Sequence, residues 1–248
     1  MNCTEAVKDI LSRLDADRET PNARIELWNE CQKLLQKLPS ECSDELSQVG
    51  NNLLDQINNS SESLVEIKLL ILLWSMVARK QPEAFNLITE ALLNEHTLAK
   101  ERYVDLLDDL EDRRAEPFLI SAIESNRGVK TGEVRFKAIR ALLSLNAIEG
   151  LPTIMSCITD PVDKVRNIAL KFLVQLDIRQ ASDIFVTQLA EEDDPDNVEL
   201  LVEGIVNWQR VDALPTLKQL LDSQWAEHDE DLGETLADAI KTLEQAKS

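Results

Sequence analysis

The sequence predicts an all-α fold, an α-solenoid (superhelix) of about seven antiparallel helix pairs. Three observations predict it. A five-point apolar stripe at offsets 0, +4, +7, +8 and +11 occurs seven times, and those offsets fall on one helix face because each residue turns a helix by about 100°. The stripes start 38, 34, 35, 31, 33 and 34 residues apart, the period of two-helix repeats. The composition, 44% hydrophobic with 4% aromatics and only 6 glycines, suits helices packed through aliphatic side chains.

The stripes define the second helix of each pair. In order they are Leu27, Cys31, Leu34, Leu35, Leu38; Val65, Leu69, Leu72, Leu73, Met76; and Ala99, Tyr103, Leu106, Leu107, Leu110. Then come Val134, Ala138, Ala141, Leu142, Leu145 and Val165, Ala169, Phe172, Leu173, Leu176. The sixth is Val198, Val202, Ile205, Val206, Gln209, broken only by Gln209, and the seventh is Leu232, Leu236, Ala239, Ile240, Leu243. The first helices read as Thr4–Leu14, Ser43–Ile57, Pro82–Asn94, Ala115–Ser125, Gly150–Thr159, Gln180–Ala190 and Ala213–Leu221. Pro82, Pro117, Pro152 and Pro215 lie near their starts, where a missing N–H leaves no helix bond unmade. Leu151-Pro152-Thr153-Ile154 and Leu214-Pro215-Thr216-Leu217, two periods apart, support the register. The chain 1–248 reads as one solenoid, with a soft connection at 57–62 as the place for a hinge between two N-terminal and five C-terminal pairs.

The turn Asp160-Pro161-Val162-Asp163-Lys164-Val165-Arg166 supplies an aspartate for backbone N–H groups and a proline that presets the bend. Asp194-Pro195-Asp196-Asn197-Val198-Glu199 repeats it in part, and Val134-Arg135 keeps its last pair. Through these residues the chain resembles the HEAT-like repeat family, including the short bacterial version first described in phycobilisome lyases. The resemblance implies an α-solenoid, usually with a binding role. It also covers helical-repeat enzymes such as bilin lyase subunits and DNA glycosylases.

The two histidines, His96 and His228, are far apart, and no phosphate loop, nucleophile elbow or metal-ligand spacing is present. No catalytic residue, cofactor or metal is therefore assigned, and the chain reads as a non-enzyme. The acidic stretch Glu191 to Asp196 lacks the alternating ligands and glycine of a calcium loop and reads as a solvated turn. The four cysteines, Cys3, Cys31, Cys42 and Cys157, read as reduced thiols of a cytoplasmic protein, with Cys31–Cys42 as the conceivable disulfide. No stretch reaches the ~20 apolar residues of a membrane helix, and Met1 to Leu14 has no signal-peptide pattern.

The net charge of −20 is uneven: Glu133 to Leu176 carries 6 basic and 4 acidic residues, and Asp177 to Ser248 carries 5 and 18. Such a chain repels nucleic acid and attracts basic proteins. Offsets +3, +6 and +10 of the stripes point away from the seam. They gather Lys137, Arg140 and Lys171 with Ile168, Leu201 and Trp208, flanked by Asp105 and Asp109. Second helices line the concave face in solenoids of this kind, as the resemblance implies. These residues form the partner-binding candidate, the alternative being that Ile168, Leu201 and Trp208 pack between repeats. Gly204 beside Trp208 leaves room for a close partner or a close helix. Arg135 and Arg166, at offset +1, read as structural, bonding to turn carbonyls or acids.

The leading functional reading is a non-catalytic protein-binding repeat protein holding a basic partner, as an immunity or inhibitor protein or as a scaffold. The alternative is a helical-repeat enzyme such as a bilin lyase subunit or a DNA glycosylase-like protein. A polar C-terminal end, Glu227 to Glu234 and Glu244 to Ser248, favours a monomer.

Overall fold

A computed structural model of the chain describes residues 2–15, 20–59, 63–223 and 230–247. Among them are fourteen α-helices and no strand. In order they are α1 (Cys3–Ser12), α2 (Pro21–Gln36), α3 (Ser43–Asn59), α4 (Ser63–Ala78), α5 (Glu83–Leu93), α6 (Lys100–Leu110) and α7 (Glu116–Ser125). There follow α8 (Gly132–Ser144), α9 (Leu151–Met155), α10 (Asp163–Gln175), α11 (Ser182–Leu189), α12 (Pro195–Asn207), α13 (Leu214–Leu221) and α14 (Glu230–Ala246). Even-numbered helices carry the stripes. Every described stripe residue is buried or half-buried except Gln209, so the recurring seam is the core. The architecture is an α-solenoid built of helix pairs. The chain divides into two compact units, Met1–Ala122 and Ile123–Ser248. Residues 60–62 of the expected hinge lie outside the described residues, and α3 and α4 pack on each other on either side of them.

The first unit is organised around α4, which packs on α2, α3 and α6. Its Val65, Leu69, Ile71, Leu72, Leu73 and Met76 are all buried. At its start the buried Glu66 carboxylate accepts the Leu98 and Ala99 N–H groups at 3.2 and 2.9 Å, capping α6. At its end the Arg79 guanidinium donates to the Leu38 and Pro39 carbonyls at 2.6 and 3.0 Å and reaches the Leu35 and Gln36 carbonyls of the last turn of α2 at 3.3 and 3.4 Å.

The first unit also corrects the expectation of four reduced thiols. α1 packs on α3, which brings Cys3 to within 5.4 Å, Cα to Cα, of Cys42, and the two form a disulfide. Cys31 lies in the seam instead, with its Sγ 3.4 Å from the Ile10 carbonyl oxygen. Burial raises the pKa of the Cys31 and Cys157 thiols above the usual cysteine value.

The second helices end in a shared way. Lys80, Glu111, Asn146, Asp177 and Gln209 follow α4, α6, α8, α10 and α12 with φ of 50–56°, the left-handed region. After α8, α10 and α12 the next N–H reaches back five residues: Ala147 to Leu142, Ile178 to Leu173 and Arg210 to Ile205, at 2.8–3.0 Å. These are Schellman caps built without glycine. Gln209 breaks the apolar stripe because it occupies such a cap, beyond the end of α12.

In the second unit α8, α10, α12 and α14 pack side by side as a layer. Buried ion pairs stitch successive members. Arg135 of α8, with no exposed surface, donates to both Asp160 carboxylate oxygens at 2.7 Å and to the Asn126 and Gly128 carbonyls. Arg166 of α10 donates to the Asp160 carbonyl at 3.0 Å and to Glu192 at 2.6 Å, with Asp193 and Asp163 at its exposed side. The structural role expected for both arginines is what the geometry gives them. Desolvation raises the Glu192 pKa, but the Arg166 and Gln188 hydrogen bonds and the Arg166 charge outweigh it and hold the carboxyl below its ordinary range.

Candidate functional site

The α10/α12 pair positions the best-defined surface feature. Asn167 Nδ2 donates to Asn197 Oδ1 at 3.0 Å near their N-termini, and Trp208 Nε1 donates to Asp177 Oδ1 at 2.8 Å near their C-termini. The two helices therefore run parallel. Between them lies an open groove of about 710 Å³. Asp163, Lys164, Asn167 and Lys171 line it from α10, and Asp196, Glu199 and Glu203 line it from α12 with its N-cap Asp194, while Val162 and Leu200 give its apolar surface.

The caps correct the expected register of the sixth stripe. Leu145, Leu176 and Trp208 occupy the same cap position, so the stripe of α12 is Asn197, Leu201, Gly204, Ile205 and Trp208. The shift arises at the turn. Asp194 is the N-cap of α12 and Pro195 its first residue, whereas Pro161 precedes α10 by two residues. Outward offset +3 on α12 is then Leu200 rather than Leu201, +6 is Glu203 rather than Gly204, and +10 is Asn207 rather than Trp208.

The apolar half of the expected patch is accordingly interior. Leu201 is fully buried, and Ile168 and Trp208 are 7% and 8% exposed. The Trp208 ring meets Phe185 of α11 edge to face, with centroids 4.7 Å apart. Gly204 lets that packing happen, since a Cβ there would lie 2.6 Å from Phe185 Cε1. The close neighbour that Gly204 admits is a helix of this chain.

The charged half stays accessible. Lys171 is exposed, and Lys137 and Arg140 are half-buried on α8. The hydrogen bond from Lys164 is the chief cause holding Glu133 below the ordinary carboxylate range, with weaker help from Lys137 and Arg140. Lys164 also lies 5.7 Å from the Phe136 ring centre. Asp105 is half-buried and Asp109 exposed on α6 in the first unit. His228 lies outside the described residues.

Corrected registers expose a pattern that the sequence reading missed. Offsets −1, +2 and +6 face away from the seam. They are Glu133, Phe136, Arg140 on α8 and Lys164, Asn167, Lys171 on α10. On α12 they are Asp196, Glu199, Glu203, and on α14 Asp231, Glu234, Asp238. The six acids of α12 and α14 are all exposed. The wall of second helices thus changes from cationic or mixed to wholly anionic at the groove. The signal was in the sequence, but the offset error of one residue on α12 put Gly204 in the place of Glu203, and rows +3, +6 and +10 do not include Asp196 and Glu199. Among the described residues no group of His, Cys, Asp and Glu is placed to hold a metal ion, and no helix is long and apolar enough to cross a membrane.

No family model matches the chain, and no curated protein matches it. Solved structures share its helical build. The complex of CpcE and CpcF of phycocyanin lyase from Nostoc sp. PCC7120 is similar at 15% identity over 96% of this chain and 94% of that one, with a TM-score of 0.45. Kap121p bound to RanGTP is similar at 15% identity over 98% of this chain, which spans 33% of that protein, with a TM-score of 0.49. Human deoxyhypusine hydroxylase in complex with glycerol is similar at 13% identity over 98% of this chain and 97% of that one, with a TM-score of 0.36. The likeness is one of architecture, and no functional argument rests on it.

Proposed function

We propose that this chain is a non-catalytic binding protein that holds a basic protein partner on the wall formed by α8, α10, α12 and α14. The observation that carries this reading is the rank of six exposed carboxylates on α12 and α14. Neighbouring helices pack about 8–10 Å apart, so like charges in adjacent ranks repel within a Debye length. A surface that concentrates such repulsion gains when a cationic partner neutralises it, and its field speeds the approach of that partner. The same field repels nucleic acid. Within this reading the protein acts either as an inhibitor capping a basic protein or as a scaffold that carries one. The expected cytoplasmic location went with reduced thiols. The Cys3–Cys42 bridge instead favours an oxidising compartment, where such bonds persist.

The test is the binding of a labelled lysine-rich peptide to the full chain by fluorescence anisotropy, at low and high salt. Binding should weaken steeply with salt. It should fall severalfold in a Glu199→Gln, Glu203→Gln, Glu234→Gln variant of unchanged helical circular dichroism. A glutamate-rich peptide should not bind. Equal affinity of the variant and the parent, or no binding of the lysine-rich peptide at low salt, would sink the proposal.

A further inference from the structure

We infer that the groove between α10 and α12 receives an α-helix of the partner whose two flanks carry opposite charges, acidic toward α10 and basic toward α12. This rests on the proposed binding function and specifies the partner's form. The groove has two parallel helical walls, and their charges differ in sign. On the α10 side stand Lys171 and Lys164, the latter bonded to Glu133 of α8, with Asp163 paired to Arg166 at 3.1 Å, and on the α12 side stand Asp196 and Glu203. The two lysines, like the two acids of α12, are separated by seven residues, about 10.5 Å or two helical turns along the axis. A docked helix repeats its own flank positions every seven residues at nearly the same spacing. A helix laid along the groove therefore sets residues i and i+7 of one flank against the two lysines. Its opposite flank then meets the two acids. Val162 and Leu200 supply the apolar contact between them, in the manner of helix-in-groove recognition.

An all-basic segment meets only half of this site. It would oppose Lys171, which is exposed, with a like charge. An extended strand repeats its side chains about every 6.6–6.8 Å on one face and falls out of step with the two ranks. The groove thus selects for secondary structure as well as for charge.

The experiment uses three synthetic peptides of about three heptads with a common seam of small apolar residues. One carries glutamate on one flank and lysine on the other. The second carries lysine on both. The third is the two-signed peptide with a central proline that breaks the helix. Dissociation constants are measured by fluorescence anisotropy on the full chain and on its Lys171→Glu variant, at low salt. The two-signed helix should bind the parent several times more tightly than the all-lysine helix, and the proline peptide should lose most of that affinity. Lys171→Glu should reverse the order of the first two. An all-lysine helix that binds the parent as well as the two-signed one overturns this inference and leaves the basic-partner reading standing. Equal binding of the proline peptide overturns the helical form of the occupant. If neither helix binds, both readings fall.

Discussion

Replacing Gly204 with alanine tests the corrected register at its tightest point. The added Cβ would lie 2.6 and 2.8 Å from Phe185 Cε1 and Cδ1 and 3.2 Å from Trp208 Cζ3. Optimal carbon contacts lie at about 3.5–4.0 Å, so the phenyl edge must retreat by nearly an ångström. It has little room, because Phe185 is fully buried and its other contacts include the Trp208 ring. The indole is itself held by the 2.8 Å bond to Asp177. Overpacking of this kind costs about 1–3 kcal/mol, and a disturbed aromatic pair about 0.5–1.5 more. Alanine gains about 1 kcal/mol over glycine in a helix. The net expectation is a loss of about 2 kcal/mol. Urea unfolding followed by circular dichroism measures it, and hydrogen exchange should place the loosening in α11 and α12. A second substitution, Phe185→Leu, should recover part of the loss, a coupling that independent sites would not show. Gly50→Ala is the contrast: its nearest neighbour is the Leu87 Cδ1 methyl at 2.7 Å, which can turn aside. A neutral or stabilised Gly204→Ala protein would refute the packing described for Phe185 and Trp208.

Four further outcomes are expected. Reducing the Cys3–Cys42 bond, or replacing both cysteines with serine, should cost the first unit about 4 kcal/mol by the chain-entropy relation for a loop of its size; thermal melts with and without reductant would measure this. Asp160→Asn leaves the Arg135 charge buried without its carboxylate and should cost about 3–5 kcal/mol in urea titrations, more than Glu192→Gln, since Asp163 and Asp193 remain beside Arg166. The Glu192 carboxyl sits below its unfolded value of 4.5, so its stabilisation is complete above that pH and is lost as pH falls through the lower folded value; Glu192→Gln should flatten that part of the stability curve. Lys80→Gly and Gln209→Gly should each raise the melting temperature slightly, by about 0.5–1 kcal/mol of stability, because glycine enters the left-handed region without the Cβ penalty.

The helix pairs were legible because a seam repeated seven times imposes the same spacing on every second helix. Even Leu-Pro marked the starts of α9 and α13 correctly. What misled the reading was local. Val165 lies five residues after Asp160 and Val198 four after Asp194, so aligning the two valines moved α12 by one position. A shift of about 100° carried Leu201 and Trp208 from the interior to the supposed binding face. The cap residues would have fixed the register, but none of the five is glycine, the residue by which such caps are recognised in a sequence. The Cys3–Cys42 pairing was hidden for another reason: it depends on α1 lying beside the start of α3, a tertiary fact with no periodic trace.

The forward reach of the buried guanidiniums makes the second unit extensible. The segment 160–191 contains an acceptor for the arginine before it and a donor for the acid after it. A duplicate of those residues inserted after Glu191 would set an aspartate 26 positions beyond Arg166, the same separation at which Glu192 now meets it. Growth by copying this block preserves every buried charge pair and adds one more lysine-bearing helix to the wall. A lengthened protein of that kind should fold with proportionately greater helical ellipticity. The array carries its own rule for becoming longer.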